Sequence, residues 1–458
     1  MTKVIIFGTG KLYQHTKQNF RTDIRIVAFL DNNPALWGSV LDGVTIYGPQ
    51  ELDGLSYDFI FLLSIYDQEM RKQLTEAGIS AGKIFDRNQM ERLCVSRPAF
   101  WYGKLPQKNG CKKVLLASHA LTSTGAPNVL FTAACVLSEN GCQVMVVSLE
   151  DGVLRKRFQA CGIPVVIMEN CHCDNPEFRQ LLMWADQVLV NTIRLYYMAE
   201  ECLSLQKKVL WWIHETVEFE YVDRSLFARA GGAGLLSVYV VSPLIQRLLR
   251  EKFGHDLNIG ELLFGIPLRE TGEKEIFSQK RKIFALIGVT GRIKGQDILI
   301  QAVELLSEDE RKRAEFWLVG AGEMAEETLR KVSEYPCIKI LGEIEHRKIP
   351  ELYSRIDAVV CCSRQESMSV VVAEGCMYKK LVLVSDAAGI AEYVTDGEDG
   401  LIFESENVSQ LASLISWVLA HEEQAKRMGN MARKIYERNF TMEVFQKHLL
   451  EAMKGLDD

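Results

Sequence analysis

The sequence lacks the apolar segments that mark exported and membrane-spanning proteins. No run of apolar residues approaches the roughly eighteen that cross a bilayer. The first residues, MTKVIIFGTGK, have no long apolar core followed by a small-residue cleavage site. We therefore expect a cytoplasmic protein, with the inner face of the membrane left open as a peripheral location.

Paired cysteines and a surplus of positive charge are missing as well. The twelve cysteines form no CxxC pair, and Cys171-His172-Cys173 is their one tight cluster with histidine, so a metal site is not indicated. Reduced thiols in a cytosol fit this pattern. Lys and Arg number 53 against 60 Asp and Glu, a formal net charge of -7, which argues against a chain that coats nucleic acid.

What is present is ordinary globular composition, with 48% hydrophobic and 25% charged residues. At about 100–200 residues per domain, 458 residues predict two to four domains. Residues 1–95 alternate apolar strands with helix-compatible stretches, the pattern of a small parallel α/β domain. Residues 96–110 lose this periodicity and gain proline and glycine, which predicts a linker.

Two further α/β domains are predicted after the linker, over residues 111–268 and 269–440. Residues 441–458 are expected to form a helix that crosses back to the preceding domain. Two successive open parallel sheets create a cleft outside the carboxyl ends of their strands, and such folds bind ligands there.

The amino-terminal domain carries part of a dinucleotide-binding pattern. Its first strand leads into Gly8-Thr9-Gly10, and the second ends at Asp31, about twenty residues further on. Tyr13 occupies the third glycine position, so the match is incomplete. A purely structural or regulatory Rossmann-like unit is therefore favoured, and if the domain binds a ligand, Gly8, Gly10 and Asp31 are the candidate residues.

The most informative segment is CCSRQESMSVVVAEG, residues 361–375, which follows a strand and opens a helix. The start of a helix directs unpaired amides and the positive end of its dipole outward, which suits a diphosphate. Glu366 precedes this helix, and Glu374 lies about 7–8 Å further along its axis, a separation suited to contacting two ends of an elongated ligand. Solvated acids are the alternative, but an unpaired charge in the apolar VVVAEGCM would be costly away from a cleft.

These residues resemble glycosyltransferase family 4, a retaining family whose carboxy-terminal domain carries two glutamates eight positions apart. AGIAEYV, residues 388–394, resembles the GGxPE segment of that family, and DGEDG, residues 396–400, resembles its DGxxG turn. The resemblance runs from about Val114 to the carboxyl terminus. It implies a GT-B fold, two Rossmann-like parallel-sheet domains facing a cleft, preceded here by the smaller Rossmann-like α/β domain.

The resemblance also implies roles for individual residues. Glu366 would contact the hydroxyls of the donor sugar and Glu374 the ribose. Lys294 and Arg292, in the loop GRIKGQD, would bind the diphosphate, and His214 the sugar or its oxocarbenium-like transition state. A solvated loop is the alternative for GRIKGQD. The other donor-binding candidates are Gly125, Gly320, Arg364, Ser367, Met368 and Ser369.

The sequence therefore predicts a retaining glycosyltransferase that moves a sugar from a nucleotide-sugar, expected to be a UDP-sugar, to an acceptor hydroxyl in bacterial polysaccharide or glycoconjugate synthesis. The acceptor would be a glycan, a lipid-linked sugar or a protein. No D-x-D pair occurs, so we expect no metal and no cofactor requirement. A hinge near Gly265–Glu273 would close the cleft and exclude water.

Two alternatives remain at this stage. The departure from the family at Ser367-Met368-Ser369, where the family often has glycine and phenylalanine, allows a non-catalytic nucleotide-sugar-binding subunit that supports a partner transferase through residues 1–95. The amino-terminal domain could instead be an oxidoreductase or epimerase half, for which Tyr13-x-x-x-Lys17 is thin support because it falls beside the glycine loop.

Overall fold

A computed structural model describes the chain except residues 53, 96–97, 108–109, 173–174, 220–221, 223, 228–233, 270–279, 325 and 458. The part of the predicted hinge that falls on residues 270–273 lies outside the described residues. The chain divides into two compact units, the first made of residues 1–123, 138–209 and 218–236, and the second of residues 124–137, 210–217 and 237–458.

The strands of the described residues are, in chain order, β1 Thr2–Phe7, β2 Ile24–Leu30, β3 Val40–Leu41, β4 Val44–Tyr47, β5 Phe59–Leu62, β6 Ile84–Phe85, β7 Phe100–Tyr102, β8 Lys113–Ala120, β9 Gln143–Glu150, β10 Val165–Ile167, β11 Gln187–Asn191, β12 Lys208–Ile213, β13 Leu236–Val240, β14 Ile259–Glu261, β15 Lys282–Ile287, β16 Ala314–Val319, β17 Ile338–Gly342, β18 Ala358–Cys361, β19 Leu381–Ser385 and β20 Leu401–Phe403.

The α-helices are α1 Lys11–Thr16, α2 Asp67–Glu76, α3 Gly125–Glu139, α4 Leu154–Ala160, α5 Pro176–Trp184, α6 Tyr196–Ser204, α7 Pro243–Phe253, α8 Gln296–Leu305, α9 Glu308–Arg313, α10 Glu326–Glu334, α11 Ile349–Arg355, α12 Val370–Met377, α13 Val408–Ala420, α14 Glu422–Asn439 and α15 Met442–Lys454. Among the described residues, no helix has the length and apolar character that crossing a membrane requires.

The first unit begins with a sheet of order β3-β4-β2-β1-β5-β6, in which β3 and β4 are antiparallel and the other neighbours are parallel. Its central strand β1 buries Val4–Phe7 completely because it is covered on both faces, as continuous apolar runs in parallel sheets usually are. The strand order reverses at β1, between β2 and β5. The predicted parallel pattern of this domain is therefore present.

The first unit continues with five strands in the order β11-β8-β9-β10-β7, of which β7 alone is antiparallel to its neighbour. Phe100–Tyr102, the strand β7, falls inside the segment that the sequence analysis treats as a linker. It forms a short edge strand because three aromatic residues pair with Val165–Ile167. The loss of periodicity over residues 96–110 concealed this strand, since three residues are too few for a periodic signal.

His172 is held by polar partners within the first unit. Its Nδ1 lies 2.9 Å from a carboxylate oxygen of Glu201, and Nε of Arg92 donates to its Nε2 at 3.1 Å. Cys173 lies outside the described residues. In the part of the chain that the structure describes, no three His, Cys, Asp or Glu side chains cluster as metal ligands would.

The second unit contains strands in the order β14-β13-β12 and a fully parallel sheet of order β17-β16-β15-β18-β19-β20. Helices such as α8 and α13 bury apolar faces on this parallel sheet in one core cluster. The carboxy-terminal helix α15 packs within the same unit, where the ring of Phe445 stacks on that of Trp212 at 6.0 Å.

Candidate functional site

Lys294 and Glu366 lie where the strand order of the carboxy-terminal parallel sheet reverses. Lys294 follows β15 and Glu366 follows β18, and these two strands are parallel neighbours, with β16 on the other side of β15. In open parallel sheets, ligands bind outside the carboxyl ends of the strands at this reversal. The two residues therefore occupy the position in the sheet that favours a ligand site.

The two side chains form an ion pair. Nζ of Lys294 donates a hydrogen bond to Oε2 of Glu366, and Oγ of Ser363 lies 3.5 Å from the same oxygen. The side chain of Lys294 is 35% exposed, whereas that of Glu366 is 14% exposed. An anionic ligand can therefore reach Lys294 from solvent and compete with Glu366 for its charge.

Three loops approach one another backbone to backbone around this pair. A Cβ on Gly295 would lie 2.2 Å from the carbonyl oxygen of Cys362, and a Cβ on Gly320 would lie 1.9 Å from that of Gly288. Gly320 also has a φ of +148°, which a side chain would strain. The packing of the protein itself therefore requires glycine at position 320, and its contact with a donor remains a prediction.

Arg364 joins these loops through its guanidinium group. It donates to both carboxylate oxygens of Asp297 at 2.9 and 2.7 Å, to Glu406 at 2.6 Å and to the carbonyl oxygen of Arg292 at 2.6 Å. The hydrogen bonds from Arg364 hold the pKa of Asp297 below its ordinary value. Arg364 thus positions the loop instead of presenting a free cation, whereas the side chain of Arg292 is exposed.

The helix expected to open near Ser367 is α12, and Ser369 caps it. The Oγ of Ser369 accepts from the amide of Val372 at 3.4 Å, the usual geometry of a serine cap. Met368 is only 5% exposed and belongs to the protein interior. The carbonyl oxygen of Ser367 would lie 2.0 Å from a Cβ on Gly389, so these two loops also depend on a glycine for their close approach.

Glu374 has partners of its own on the same helix. Oη of Tyr353 donates to Oε2 of Glu374 at 3.1 Å, and the Tyr353 ring stacks on that of Tyr378 at 4.7 Å. Burial raises the pKa of Glu374, and the hydrogen bond from Tyr353 partly opposes that shift. Among the described residues, Glu374 makes no hydrogen bond or ion pair with Lys294 or Glu366.

His214 follows β12, and its segment contacts the loop that carries Glu366. The side-chain Nε2 of Gln365 donates to the carbonyl oxygen of Thr216 at 3.4 Å. The ring of His214 lies 4.8 Å from that of Trp212. Trp211 and Trp212, which precede His214 on this strand, are both fully buried. The strand therefore presents the half-buried His214 at its end.

Gly125 is the first residue of α3, within the second unit. A Cβ there would meet nothing within 4 Å, so the packing of the protein does not require glycine at this position. The backbone is open to an external group, which is compatible with the predicted donor contact.

Gly8, Gly10 and Asp31 line a separate cavity of about 760 Å³ in the first unit. It lies at the carboxyl ends of β1, β2 and β5, the point at which that sheet also reverses its strand order. Tyr13 is directed elsewhere, and its ring packs edge to face on that of Phe29 at 4.8 Å. Tyr13, at the position of the missing third glycine, is buried in this packing.

Sequence reasoning did not assign two residues that support the site. Tyr353 is the hydrogen-bond partner of Glu374, and Asp297 is the main partner of Arg364. Both partnerships join residues far apart in the chain, separated by 21 and 67 positions. No local pattern in one sequence marks such pairs.

Comparisons with known proteins divide the chain into three matched segments. Residues 269–435 match the family described as Glycosyl transferases group 1, residues 110–230 match Glycosyl-transferase family 4, and residues 1–85 match a domain described as C2185-like, N-terminal.

Two curated relatives are similar over part of their length. Spore coat protein SA of Bacillus subtilis (strain 168) is 25% identical over 41% of this chain and 52% of the relative. The D-rhamnosyltransferase WbpZ of Pseudomonas aeruginosa is 26% identical over 39% of this chain and 47% of the relative. The chain thus matches about half the length of these relatives.

A solved structure shares the fold of most of the chain. The crystal structure of Anabaena Alr3699/HepE in complex with UDP superposes with a TM-score of 0.63 at 19% identity, covering 75% of this chain and 99% of the other. At this level of identity the likeness shows the fold.

Proposed function

We propose that this chain transfers a sugar from a UDP-sugar to an acceptor hydroxyl with retention of configuration. The chain belongs to the glycosyltransferases, since residues 110–230 match Glycosyl-transferase family 4 and residues 269–435 match Glycosyl transferases group 1. The resemblance stated from the sequence and the GT-B fold are confirmed by these matches and by the structural neighbours. The observation that carries the proposal is the Lys294–Glu366 ion pair at the strand reversal of the carboxy-terminal sheet.

Lys294 is the group that stabilises the departing nucleoside diphosphate. The side chain is cationic and part-exposed, and Glu366 is its anionic partner. When a diphosphate arrives, it replaces Glu366 as the counter-ion of Lys294. A cation aimed at a developing negative charge lowers the barrier of the reaction. The exposed Arg292, two residues earlier, adds a second positive charge at the mouth of the site.

Release from Lys294 leaves Glu366 free to accept hydrogen bonds from the hydroxyls of the donor sugar. His214 lies on the segment that contacts the loop of Glu366 and serves the sugar or its oxocarbenium-like transition state. In the step itself, the bond from the anomeric carbon to the diphosphate oxygen breaks and takes its electron pair with the diphosphate. The acceptor oxygen bonds to the same carbon, and its proton leaves with the nucleoside diphosphate.

Glu374 binds the ribose of the donor. The Tyr353 hydroxyl holds one of its carboxylate oxygens, which leaves the other oxygen for a ribose hydroxyl. Uridine is proposed as the base because the Anabaena neighbour is a complex with UDP. The reaction would proceed without a metal ion, since the chain has no D-x-D pair and Lys294 supplies charge at the diphosphate.

The acceptor is proposed to be a growing bacterial glycan, lipid-linked or protein-linked, because one relative is a D-rhamnosyltransferase and another a spore coat protein. The protein would act in the cytoplasm, with peripheral contact to the membrane if the acceptor is lipid-linked.

Thermal unfolding with UDP-, GDP- and ADP-sugars, followed by assays of nucleoside diphosphate release, tests this function. We expect one UDP-sugar to raise the unfolding midpoint of the native chain, and the Lys294→Ala chain to lose most of that shift. Lys312→Ala is the matched control, because Lys312 is an exposed lysine that also pairs with a glutamate, Glu308. Equal shifts in both variants would remove Lys294 from the site.

A non-catalytic nucleotide-sugar-binding subunit is the second candidate. Two features support it. Ser367-Met368-Ser369 departs from the pattern of the family, and Lys294 and Glu366 form an ion pair with each other. Donor binding by the purified chain without release of nucleoside diphosphate, and release only after a partner protein is added, would favour this candidate.

A further inference from the structure

We propose that the cavity of the amino-terminal domain binds a nucleotide, at a second site separate from that of the donor, through a ribose hydroxyl that donates a hydrogen bond to Asp31. The cavity lies at the carboxyl ends of β1, β2 and β5. Its volume of about 760 Å³ is within the range of about 300–1,000 Å³ that is usual for small-molecule sites. All of its lining belongs to the first unit.

The packing of the protein requires glycine at position 8 of this loop but not at position 10. Gly8 has a φ of +109°, and a Cβ there would lie 2.7 Å from the carbonyl oxygen of Leu63, so the fold itself requires this glycine. Gly10 has an ordinary negative φ, and a Cβ there would meet nothing within 4 Å. Nothing in the packing of the described chain demands glycine at position 10. The backbone at this position is therefore open to the approach of a group outside the chain.

The carboxylate of Asp31 is held in place with acceptor capacity to spare. Its Oδ2 accepts from Oγ1 of Thr9 at 2.6 Å and from the backbone amide of Thr9 at 3.4 Å, and its Oδ1 accepts from the amide of Asn33 at 2.9 Å. Each carboxylate oxygen has two acceptor positions, so Oδ1 can take one further hydrogen bond. This open acceptor position on an orientated carboxylate suits one hydroxyl of a ribose.

The mouth of the cavity supplies a surface for a base. Ile65 and Tyr66, between β5 and α2, are 72% and 61% exposed although both are large and apolar. Leu12 and Met70 add further apolar lining. A flat ring placed on Ile65 and Tyr66 would cover apolar surface that the protein leaves in water.

The charges along the cavity restrict the phosphate part of the ligand. Lys11 is the cation of the lining, and Asp31 and Glu69 are its acids. One cation against two carboxylates favours a ligand of low negative charge, such as a nucleoside monophosphate or a dinucleotide, over a triphosphate.

The cavity is suited to binding and not to the hydride chemistry considered from the sequence. Tyr13 and Lys17 are both outside its lining. The Tyr13 hydroxyl donates to Asp42 at 2.6 Å, and Nζ of Lys17 pairs with the same carboxylate at 2.8 Å. Among the described residues that line the cavity, no tyrosine–lysine pair of this kind is present.

Titration calorimetry of the full-length chain with AMP, UMP and NAD⁺ tests the site. The Lys294→Ala chain is used throughout, so that binding at the donor site does not contribute. We expect at least one nucleotide to bind with saturation, and Gly10→Leu to weaken that binding at least tenfold by filling the open space. Gly82→Leu is the matched control, because Gly82 is exposed, lies outside the cavity and has only one atom within 4 Å of a built Cβ.

Asp31→Asn is a second, independent variant, expected to weaken binding about tenfold while unfolding cooperatively. Its control is Asp58→Asn, which alters a carboxylate that also accepts from a backbone amide, that of Lys3, outside the cavity. Preference among the three probes identifies the base, since AMP and UMP differ only there. Equal affinities of the Gly10→Leu and Gly82→Leu chains, or no saturable binding of any probe at millimolar concentration, would overturn the proposal.

Discussion

The amino-terminal sheet and the carboxy-terminal sheet both place polar residues at the carboxyl ends of strands near the strand reversal, with different electrostatics. In each, the first strand lies at the centre and the strand order reverses beside it. In the amino-terminal sheet Asp31 follows β2, next to the first strand, and is bonded to the hydroxyl of Thr9 and the amide of Asn33. At the carboxy-terminal reversal stands Lys294, paired with Glu366.

The fold provides the position of a ligand site, and the side chains at that position decide which chemical groups can bind there. Both sheets offer a crevice outside the carboxyl ends of parallel strands. A carboxylate held by neutral donors is suited to hydroxyl groups, whereas a part-exposed lysine is suited to phosphate. The same framework can therefore carry two ligand sites of different chemistry in one chain.

The largest expected effect is on turnover in Glu366→Gln. The neutral amide no longer competes for Lys294, so UDP should bind as tightly as to the native chain or more tightly. The sugar loses a charged acceptor, so the rate of nucleoside diphosphate release should fall about 100-fold or more. Calorimetry with UDP and initial-rate assays measure the two effects. A parallel loss of UDP binding and turnover would contradict the role assigned to the pair.

Substitution by alanine should lower the free energy of unfolding strongly at Gly320 but hardly at Gly10. Gly320→Ala places a Cβ against the carbonyl oxygen of Gly288 in a strained backbone region and should lower the free energy of unfolding by about 3 kcal/mol. Gly10→Ala meets no atom and should change it by less than about 0.5 kcal/mol. Urea unfolding measures both. Similar losses in both variants would remove the distinction between a glycine required by packing and one open to a ligand.

Loss of the Arg364 side chain should destabilise the loops of the carboxy-terminal site. Arg364→Ala removes charged hydrogen bonds to Asp297 and Glu406 and should cost about 2 kcal/mol in the free energy of unfolding. Arg247→Ala is the control, since Arg247 is half exposed and forms an ion pair with Glu392, and should cost less than about 1 kcal/mol. If Arg364 bound the donor directly, its loss would weaken UDP binding without affecting the unfolding of the unliganded chain.

The smallest expected effect depends on pH. Because burial raises the pKa of Glu374 in the folded chain above its unfolded value, stability is fully present below the unfolded pKa and falls as pH rises through the folded one. Glu374→Gln removes this loss, so it should be about 1 kcal/mol more stable than the native chain at pH 7.5 and equally stable near pH 4.

Glu308→Gln is the control for that experiment, because its hydrogen bond from Lys312 lowers the pKa of Glu308. Its stabilising contribution is present above the unfolded pKa and lost as pH falls, so the variant should show the opposite sign at pH 7.5. Unfolding midpoints over pH 4–8 test both. A Glu374→Gln chain less stable than the native one at pH 7.5 would contradict the buried position of this carboxyl.

Local patterns were sufficient for the elements that carry the site. The run of apolar residues before Cys361 predicted β18, and the polar loop followed by VVVAEGCM predicted the start of α12, which Ser369 caps. The sequence also indicated part of the difference between the two sites, because the acid Asp31 and the base Lys294 each follow a predicted strand. These predictions succeeded because strand ends and helix caps depend on neighbours in the chain.

Partners that are distant in the chain were not predicted. Arg364 was predicted to bind the donor, which remains a prediction, and its bonds to Asp297 and Glu406, 67 and 42 positions away, were not foreseen. The strand β7 was hidden in a segment expected to be a linker, because its pairing with β10 arises only in the folded chain. The domain limits and the roles of the candidate site residues remain predictions.

By itself, the sequence determined the α/β class with mainly parallel sheets, the resemblance to glycosyltransferase family 4 and the residues that follow the strand ends. Only the tertiary structure decided that Lys294 pairs with Glu366, that Arg364 is engaged within the protein, and that Gly10 faces open space while Gly320 does not. The reason is physical: apolar periodicity and caps act over a few residues, whereas ion pairs and close backbone approaches exist only after distant loops have been brought together.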